Sequence, residues 1–294
     1  MAGVVRVGGR PARAPGQILG PDFELEARVD LSRLRGSRAS EDRSFTLTPA
    51  TILYEDEVLI AVAKPPGLPT VPTADPARPS LVRAVEAYLS RPGREVRLGV
   101  HQRLDRDTSG VVLFARDPSA NAGLARAFGT NAVEKVYEAL VARPGKRPPP
   151  CWQVTSALAP IGGGRMGSVR DGGQPAVTDF TLLEELPGGL HLEARPRTGR
   201  KHQIRVHLAE AGLPILGDPL YGAQARPLVS PHGRATHANA PSPPRLMLHA
   251  RRLCLPHPLT GAPLSLESPL PPDFCRCLES LRATTSTRSR TRRR

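Results

Sequence analysis

Apolar residues in this chain fall in short runs punctuated by Gly, Pro and Asp, a pattern of many short strands and few helices. Ile52 to Lys64 predicts two strands around the acidic turn Glu55-Asp56-Glu57, closed by Pro65-Pro66-Gly67. Ser80 caps a predicted helix with Leu81, Val82, Val85 and Leu89 at helical spacing. The run Val111-Val112-Leu113-Phe114-Ala115 has no polar alternation and predicts a buried strand. Asn121 to Phe128 predicts a short helix, with Leu124 and Phe128 four apart. Strands are then expected at Val133–Val141, Trp152–Leu158 and Ala176–Leu183, the last two flanking a Gly-rich hairpin, and Leu190–Arg195 leads into the basic segment that follows. A helix over Lys201–Ala211 ends at Gly212, and Leu246–Pro263 adds a strand and a turn at Gly261. Many strands with few helices give an α+β class built on a mixed, mainly antiparallel sheet.

The two ends of the chain read differently. Val4–Val7 and Phe23–Val29 are strand-like pieces in a Gly- and Pro-rich, basic segment over residues 1–45. They resemble the last half of the small α-L RNA-binding module without its leading helices, and are equally well read as a basic arm. Leu31 to Ser44 has the composition of a linker. A catalytic domain is expected over residues 50–281, with Ala223 to Arg245, rich in Pro, Ala, Ser and His, as a mobile insertion. Arg282 to Arg294 carries arginines without an acidic residue and is expected to be a disordered, RNA-seeking tail.

Charge narrows the partner. Lys and Arg number 41 against 27 Asp and Glu, a formal net charge of +14, which favours a polyanion such as RNA. No apolar run approaches the roughly 18 residues of a membrane span, and the N-terminus lacks a signal-peptide core. The expectation is a soluble, cytoplasmic monomer that meets nucleic acid. Four scattered cysteines do not make a disulfide framework, and Cys275-Arg-Cys277 is half of a zinc motif without its other half. Aromatic residues make up only 4%, too few for an extended base-stacking platform.

The candidate chemistry centres on His101–Asp117, HQRLDRDTSGVVLFARD, where Asp105 sits among Arg103 and Arg106 at the mouth of the buried strand. Asp-x-x-Thr-Ser-Gly also makes a plain polar turn, with Asp105, Thr108 and Ser109 bonded to local backbone. A second basic cluster, Arg197, Arg200, Lys201 and Arg205, lies in RPRTGRKHQIRVHL, and alone it reads equally as a solvated helix face.

Taken together, HQRLDRDTSGVVLFARD, EKVYEALV and RTGRKHQIRVHLAEAGLPILGDPLYG occur in the order and spacing that resemble the RluA-type pseudouridine synthase family. ILYEDEVLIAVAKPPGLPT resembles the family's opening strands and LHARRLCLPHPLTG its closing segment, so the likeness spans Thr51 to Pro272. The resemblance implies an extended antiparallel sheet crossed by an RNA-binding cleft, and isomerisation of uridine to pseudouridine in folded ribosomal or transfer RNA without metal or cofactor. It implies Asp105 as the catalytic carboxylate, and leaves open attack on ribose or base. A carboxylate away from water needs a cationic partner, and the resemblance supplies Arg205, whose planar fork suits the task. Tyr137 matches the active-site tyrosine that stacks on the uracil and handles a proton. Ile204 matches a base-packing position. Arg103, Arg106, Arg200, Lys201, His202 and Gln203 are the expected RNA-binding residues, the target base being turned out of its stack. The family usually places His before Arg-Leu-Asp, where this chain has Gln102.

A non-catalytic RNA-binding or ribosome-assembly protein that retains the fold is the alternative. A two-carboxylate glycosidase using Asp105 and Asp107 is disfavoured, because residues two apart cannot securely face a sugar from both sides.

Overall fold

The computed structural model describes the backbone at residues 3–7, 10–11 and 25–29, and residues 45–222 and 243–284 apart from 76, 93–94, 131 and 145–146. Residues 1–44 and 45–294 separate into two units. In the first, β1 (Gly3–Val7) pairs antiparallel with β2 (Arg10–Pro11) and β3 (Leu25–Val29), so both expected strands form and join one small sheet. The expected linker lies outside the described residues, as does most of the expected insertion.

Among the described residues, the second unit is organised by one sheet of 11 strands. β4 (Ile52–Glu55) and β5 (Leu59–Lys64) form the predicted hairpin, its turn fastened by Asp56, whose Oδ1 accepts from the Val58 and Leu59 amides. β6 (Gly99–Val100) and β5 both pair with β7 (Ser109–Ala115), the central apolar run, every residue of which is buried. Beyond β7 the path continues through β13 (Leu248–Pro256), β8 (Glu134–Ala142), β12 (Gly189–Pro196), β11 (Gln174–Leu186), β9 (Cys151–Gly162) and β10 (Arg165–Ser168), with β14 (Pro263–Glu267) beside β13. Every pairing is antiparallel except β7 with β13, which meet in parallel over His249–Ser109 and Ala250–Gly110 alone. That crossing needs Gly110: its φ is +121°, and a Cβ there would overlap the Ala250 backbone.

Four α-helices cover the sheet's apolar surfaces among the described residues: α1 (Leu81–Leu89), α2 (Asn121–Gly129), α3 (Gln203–Glu210) and α4 (Pro272–Ala283). Ser80 caps α1 by accepting from the Arg83 amide, and Leu81, Val82, Val85 and Leu89 bury the expected stripe. α3 begins two residues later than the periodicity suggests, because His202 takes the left-handed conformation (φ 57°) and cannot belong to the helix. The tail expectation is corrected at its start: Arg282 lies in the last turn of α4, where its Nη2 and Nε bond Glu184 at 2.6 and 3.1 Å. Residues 285–294 lie outside the described residues.

Two large cores result. One joins β4, β5 and β7 to α1; the other joins β8, β12 and the start of β13 to α3 and α4. Tyr137 packs against both, which places it at the seam where β7's turn and α3 approach each other.

Candidate active site

The register of the sheet lines up the site. Lys64 pairs with Gly110, Gly110 with Ala250, Ala250 with Tyr137 and Tyr137 with Ala194, so one row crosses from β5 to β12. Asp105 lies in the turn that enters β7, closed by the Thr108 amide donating to the Asp105 carbonyl at 3.1 Å. This is the local hydrogen bonding that the plain-turn reading expects, yet the Asp105 carboxylate itself points elsewhere. Its Oδ2 accepts from Arg205 Nη1 at 2.8 Å, across 100 positions of sequence.

Arg205 is held from behind. Its Nε and Nη2 donate to Asp218 Oδ2 and Oδ1 at 2.8 and 2.9 Å, a bidentate fork. The Arg205 and Asp218 side chains are 6% and 0% exposed and Asp105 is 26% exposed, so only the Asp105 end of the chain of charges meets solvent. Burial pulls the guanidinium's pKa down, but the bonds and charges of Asp218 and Asp105 outweigh it and raise the net value. Asp218 Oδ1 also accepts from the Leu220 and Tyr221 amides, which fixes the turn after α3 around it. The Tyr221 ring lies under the guanidinium, 5.1 Å from centroid to carbon.

The turn carrying Asp105 is secured from the other side by Lys64. This side chain is 1% exposed, and its Nζ donates to the carbonyls of Pro65, Leu68 and Arg106 at 2.9, 2.8 and 2.8 Å. Burial pushes its ammonium down to about 7, with Asp107 and Asp105 opposing the fall. Thr70 adds a reciprocal pair, Oγ1 donating to the Leu104 carbonyl and accepting from its amide. The Gly67 amide donates to the Arg106 carbonyl. Pro65 to Thr70 is therefore a cradle for the loop 104–106.

Tyr137 is partly buried, and burial first, then the charge of Asp105, raises its phenol above the ordinary value. It stands as a neutral hydroxyl within electrostatic reach of the carboxylate. Ile204 is 6% exposed and belongs to the second core. Gln203 is turned inward: its Nε2 donates to the Val177 carbonyl and Thr178 Oγ1, and its Oε1 accepts from Thr198 Oγ1 and the Arg200 amide. All of its amide capacity is used in tying α3 to β11. His202 Nδ1 lies 2.8 Å from the Tyr221 hydroxyl, and its Nε2 lies 3.8 Å from Asp105 Oδ2. Arg103 and Lys201 are exposed, Arg106 is paired with Asp107 at 3.0 Å, and Arg200 donates to the Pro175 carbonyl. Gln102 is partly buried with its Nε2 shut from solvent and without a partner among the described residues.

Folding thus brings Asp105, Arg205, Tyr137 and His202 into one place, and adds Asp218, Tyr221 and Lys64, to which the sequence patterns assign no role. The motif GDPLYG contains the first two of these; a carboxylate and a tyrosine three apart in a Gly-Pro turn were the available signal. Among the described residues no group of three or more His, Cys, Asp or Glu could hold a metal ion, and no helix is long and apolar enough to cross a membrane.

Comparison with known proteins gives the family. The family model for RNA pseudouridylate synthase matches residues 58–210. A ribosomal large subunit pseudouridine synthase D of Pseudomonas aeruginosa is 36% identical over 241 residues, covering 79% of this chain and 71% of that protein. The protein of the same description from Xanthomonas campestris is 36% identical over 240 residues, covering 80% and 70%. Human RNA pseudouridylate synthase domain containing 4 superposes with a TM-score of 0.60 at 28% identity, covering 79% of this chain and 93% of that one. The matched segment holds Lys64, Asp105, Tyr137 and Arg205, and the chain belongs to the RNA pseudouridylate synthases, in their RluA-type family.

Proposed function

We propose that this isomerase converts specific uridines of ribosomal RNA to pseudouridine, with Asp105 as its catalytic carboxylate. The observation that carries the reading is the chain Asp218–Arg205–Asp105, which is buried at one end and open at the other. A guanidinium shared between two carboxylates holds the outer one charged and fixed, while leaving part of it available to a substrate. The ribosomal target rests on the relatives, which are described as ribosomal large subunit enzymes.

The reaction is balanced within the nucleotide. The bond from ribose C1′ to uracil N1 breaks, C1′ joins C5, the C5 proton leaves and N1 takes one up. Asp105 serves as nucleophile or as ion-pair stabiliser during cleavage. Tyr137, a neutral phenol facing Asp105, can hold the detached base and pass on the C5 proton by exchanging its own. Arg103 and Lys201 are free at the surface to hold backbone phosphates of the opened RNA.

Ribosomal RNA and transfer RNA carrying tritium at uridine C5 discriminate the possibilities. Wild type is expected to release tritium from ribosomal RNA, and Asp105→Asn to abolish release while RNA binding persists. Release that survives the substitution would overturn the role of Asp105. Equal release from bulk transfer RNA would overturn the target, and binding without release by wild type would favour a non-catalytic RNA-binding protein.

A further inference from the structure

The contacts around His202 fix its tautomer. Tyr221 is 4% exposed, and its hydroxyl oxygen already accepts a hydrogen bond from the Met166 amide at 2.7 Å. The hydroxyl proton must then be donated, and the acceptor within reach among the described residues is His202 Nδ1 at 2.8 Å. An imidazole that accepts at Nδ1 carries its proton on Nε2, and Nε2 is the nitrogen 3.8 Å from Asp105 Oδ2. In the opposite tautomer, the Tyr221 proton would have no acceptor and a nitrogen lone pair would face a carboxylate. The doubly protonated ring is opposed as well: burial first, and the Arg205 and Lys201 charges, lower the His202 pKa, while Asp105 and Asp218 act the other way with the smaller result.

The backbone shows what this arrangement costs. His202 is the one non-glycine residue with positive φ among those described, at 57°. Such a conformation is unfavourable for a residue with a Cβ and persists where surrounding contacts over-determine it. Here it turns the ring out of the α3 register, between Tyr221 and Asp105. A helical His202 would point its side chain along α3 instead.

We propose that His202 is a positioning residue, held as the Nε2–H tautomer by the Tyr221 hydroxyl, which with Arg205 engages Oδ2 of Asp105 and leaves Oδ1 to meet the substrate. The inference rests on Asp105 being the catalytic carboxylate. Both cationic or proton-bearing neighbours approach the same oxygen: Arg205 Nη1 at 2.8 Å and His202 Nε2 at 3.8 Å. The longer distance is too great for a hydrogen bond, so His202 acts on Oδ2 through the charge distribution of its Nε2–H. The relay from the Met166 N–H through the Tyr221 O–H thus turns the positive end of the His202 Nε2–H dipole towards Oδ2, 3.8 Å away, and steers the carboxylate electrostatically.

Two measurements test this. Nitrogen-15 spectra of histidine-labelled protein should show His202 with an unprotonated Nδ1 and a protonated Nε2, and Tyr221→Phe should lose that pattern. A wild-type spectrum with the proton on Nδ1 overturns the proposal whether or not the enzyme is active. Single-turnover rates on saturating RNA then compare two variants. Asn places its amide where Nδ1 was and tolerates positive φ, whereas Gln reaches the Nε2 position. His202→Asn should slow the chemical step about 10-fold with RNA affinity unchanged, the effect of removing an N–H dipole aimed at a charged group. His202→Gln should recover most of that rate. Equal losses in both variants, or a loss confined to RNA affinity, would assign His202 a merely structural or RNA-binding role. Absence of tritium release by wild type would instead count against the proposed function, and the spectrum would still decide the geometry.

Discussion

At the scale of the residue, the site depends on one cation shared by two anions. Arg205 reaches Asp105 with one nitrogen and Asp218 with two, and only a planar guanidinium can serve both directions at once. Arg205→Lys keeps the charge but can satisfy only one side. The abandoned Asp218 has no exposed side-chain surface, and leaving half of a buried ion pair costs about 3–5 kcal/mol. We expect that loss in urea unfolding, together with tritium release at or near background. An Arg205→Lys protein as stable and active as wild type would show that the fork is dispensable. The two ends of this arrangement differ in how readily the sequence reveals them. Asp105, Tyr137 and Arg205 stand in motifs whose order is visible along the chain. Asp218, Lys64 and Tyr221 act only on groups brought to them by folding, and Lys64 in particular reads as the polar end of a strand until its Nζ is seen among three carbonyls.

At the scale of the element, the parallel contact between β7 and β13 anchors the strand that the Asp105 turn enters. It spans two residue pairs, and besides the close approach at Gly110 it is pinned by side chains: His249 Nε2 donates to the Ser268 carbonyl at 3.1 Å, so Nδ1 accepts from Ser109 Oγ at 2.9 Å. Burial lowers the His249 pKa from 6.5 to about 4. Between those values the unfolded chain binds a proton that the folded one refuses, so stability from this group is complete above about pH 6.5 and drains away as pH falls towards 4, by about 3 kcal/mol at most. His249→Gln removes that titration. Unfolding free energies at pH 7 and pH 4.5 should therefore differ less in the variant than in wild type; an unchanged pH dependence would refute the assignment. Strand positions, the capped helix α1 and the end of α3 are legible from period and punctuation. The order of strands is not, because apolar runs state that a strand is buried without stating beside which neighbour. Helix α4 does carry a signal, Phe274, Cys277, Leu278 and Leu281 at i, i+3, i+4 and i+7, all buried. The arginines that follow it mask that stripe and suggest a tail beginning two residues too early.

At the scale of the whole molecule, the excess charge and the built site divide the work of recognition. A net charge of +14 attracts any RNA, and phosphate contacts carry no information about which uridine is presented. The site residues contribute little to that attraction, since Arg205 is spent on two carboxylates and Lys64 on carbonyls. Affinity and chemistry should therefore separate. Residues 285–294 contain five arginines, at 288, 290, 292, 293 and 294, and no acidic residue. Ending the chain after Thr284 retains α4 with its Arg282–Glu184 pair, so the catalytic unit keeps its described contacts. Each phosphate contact contributes about 0.7–0.9 to the slope of log affinity against log salt, so five lost contacts would flatten it by about 3.5 to 4.5. We expect the truncated protein to bind ribosomal RNA more weakly at low salt, to converge with wild type as salt rises, and to retain the full single-turnover rate once RNA saturates it. A slope that does not change would show that these arginines stay off the RNA. A fall in the saturated rate would mean that they help to present the uridine to Asp105, and that attraction and selection are not separable in this enzyme.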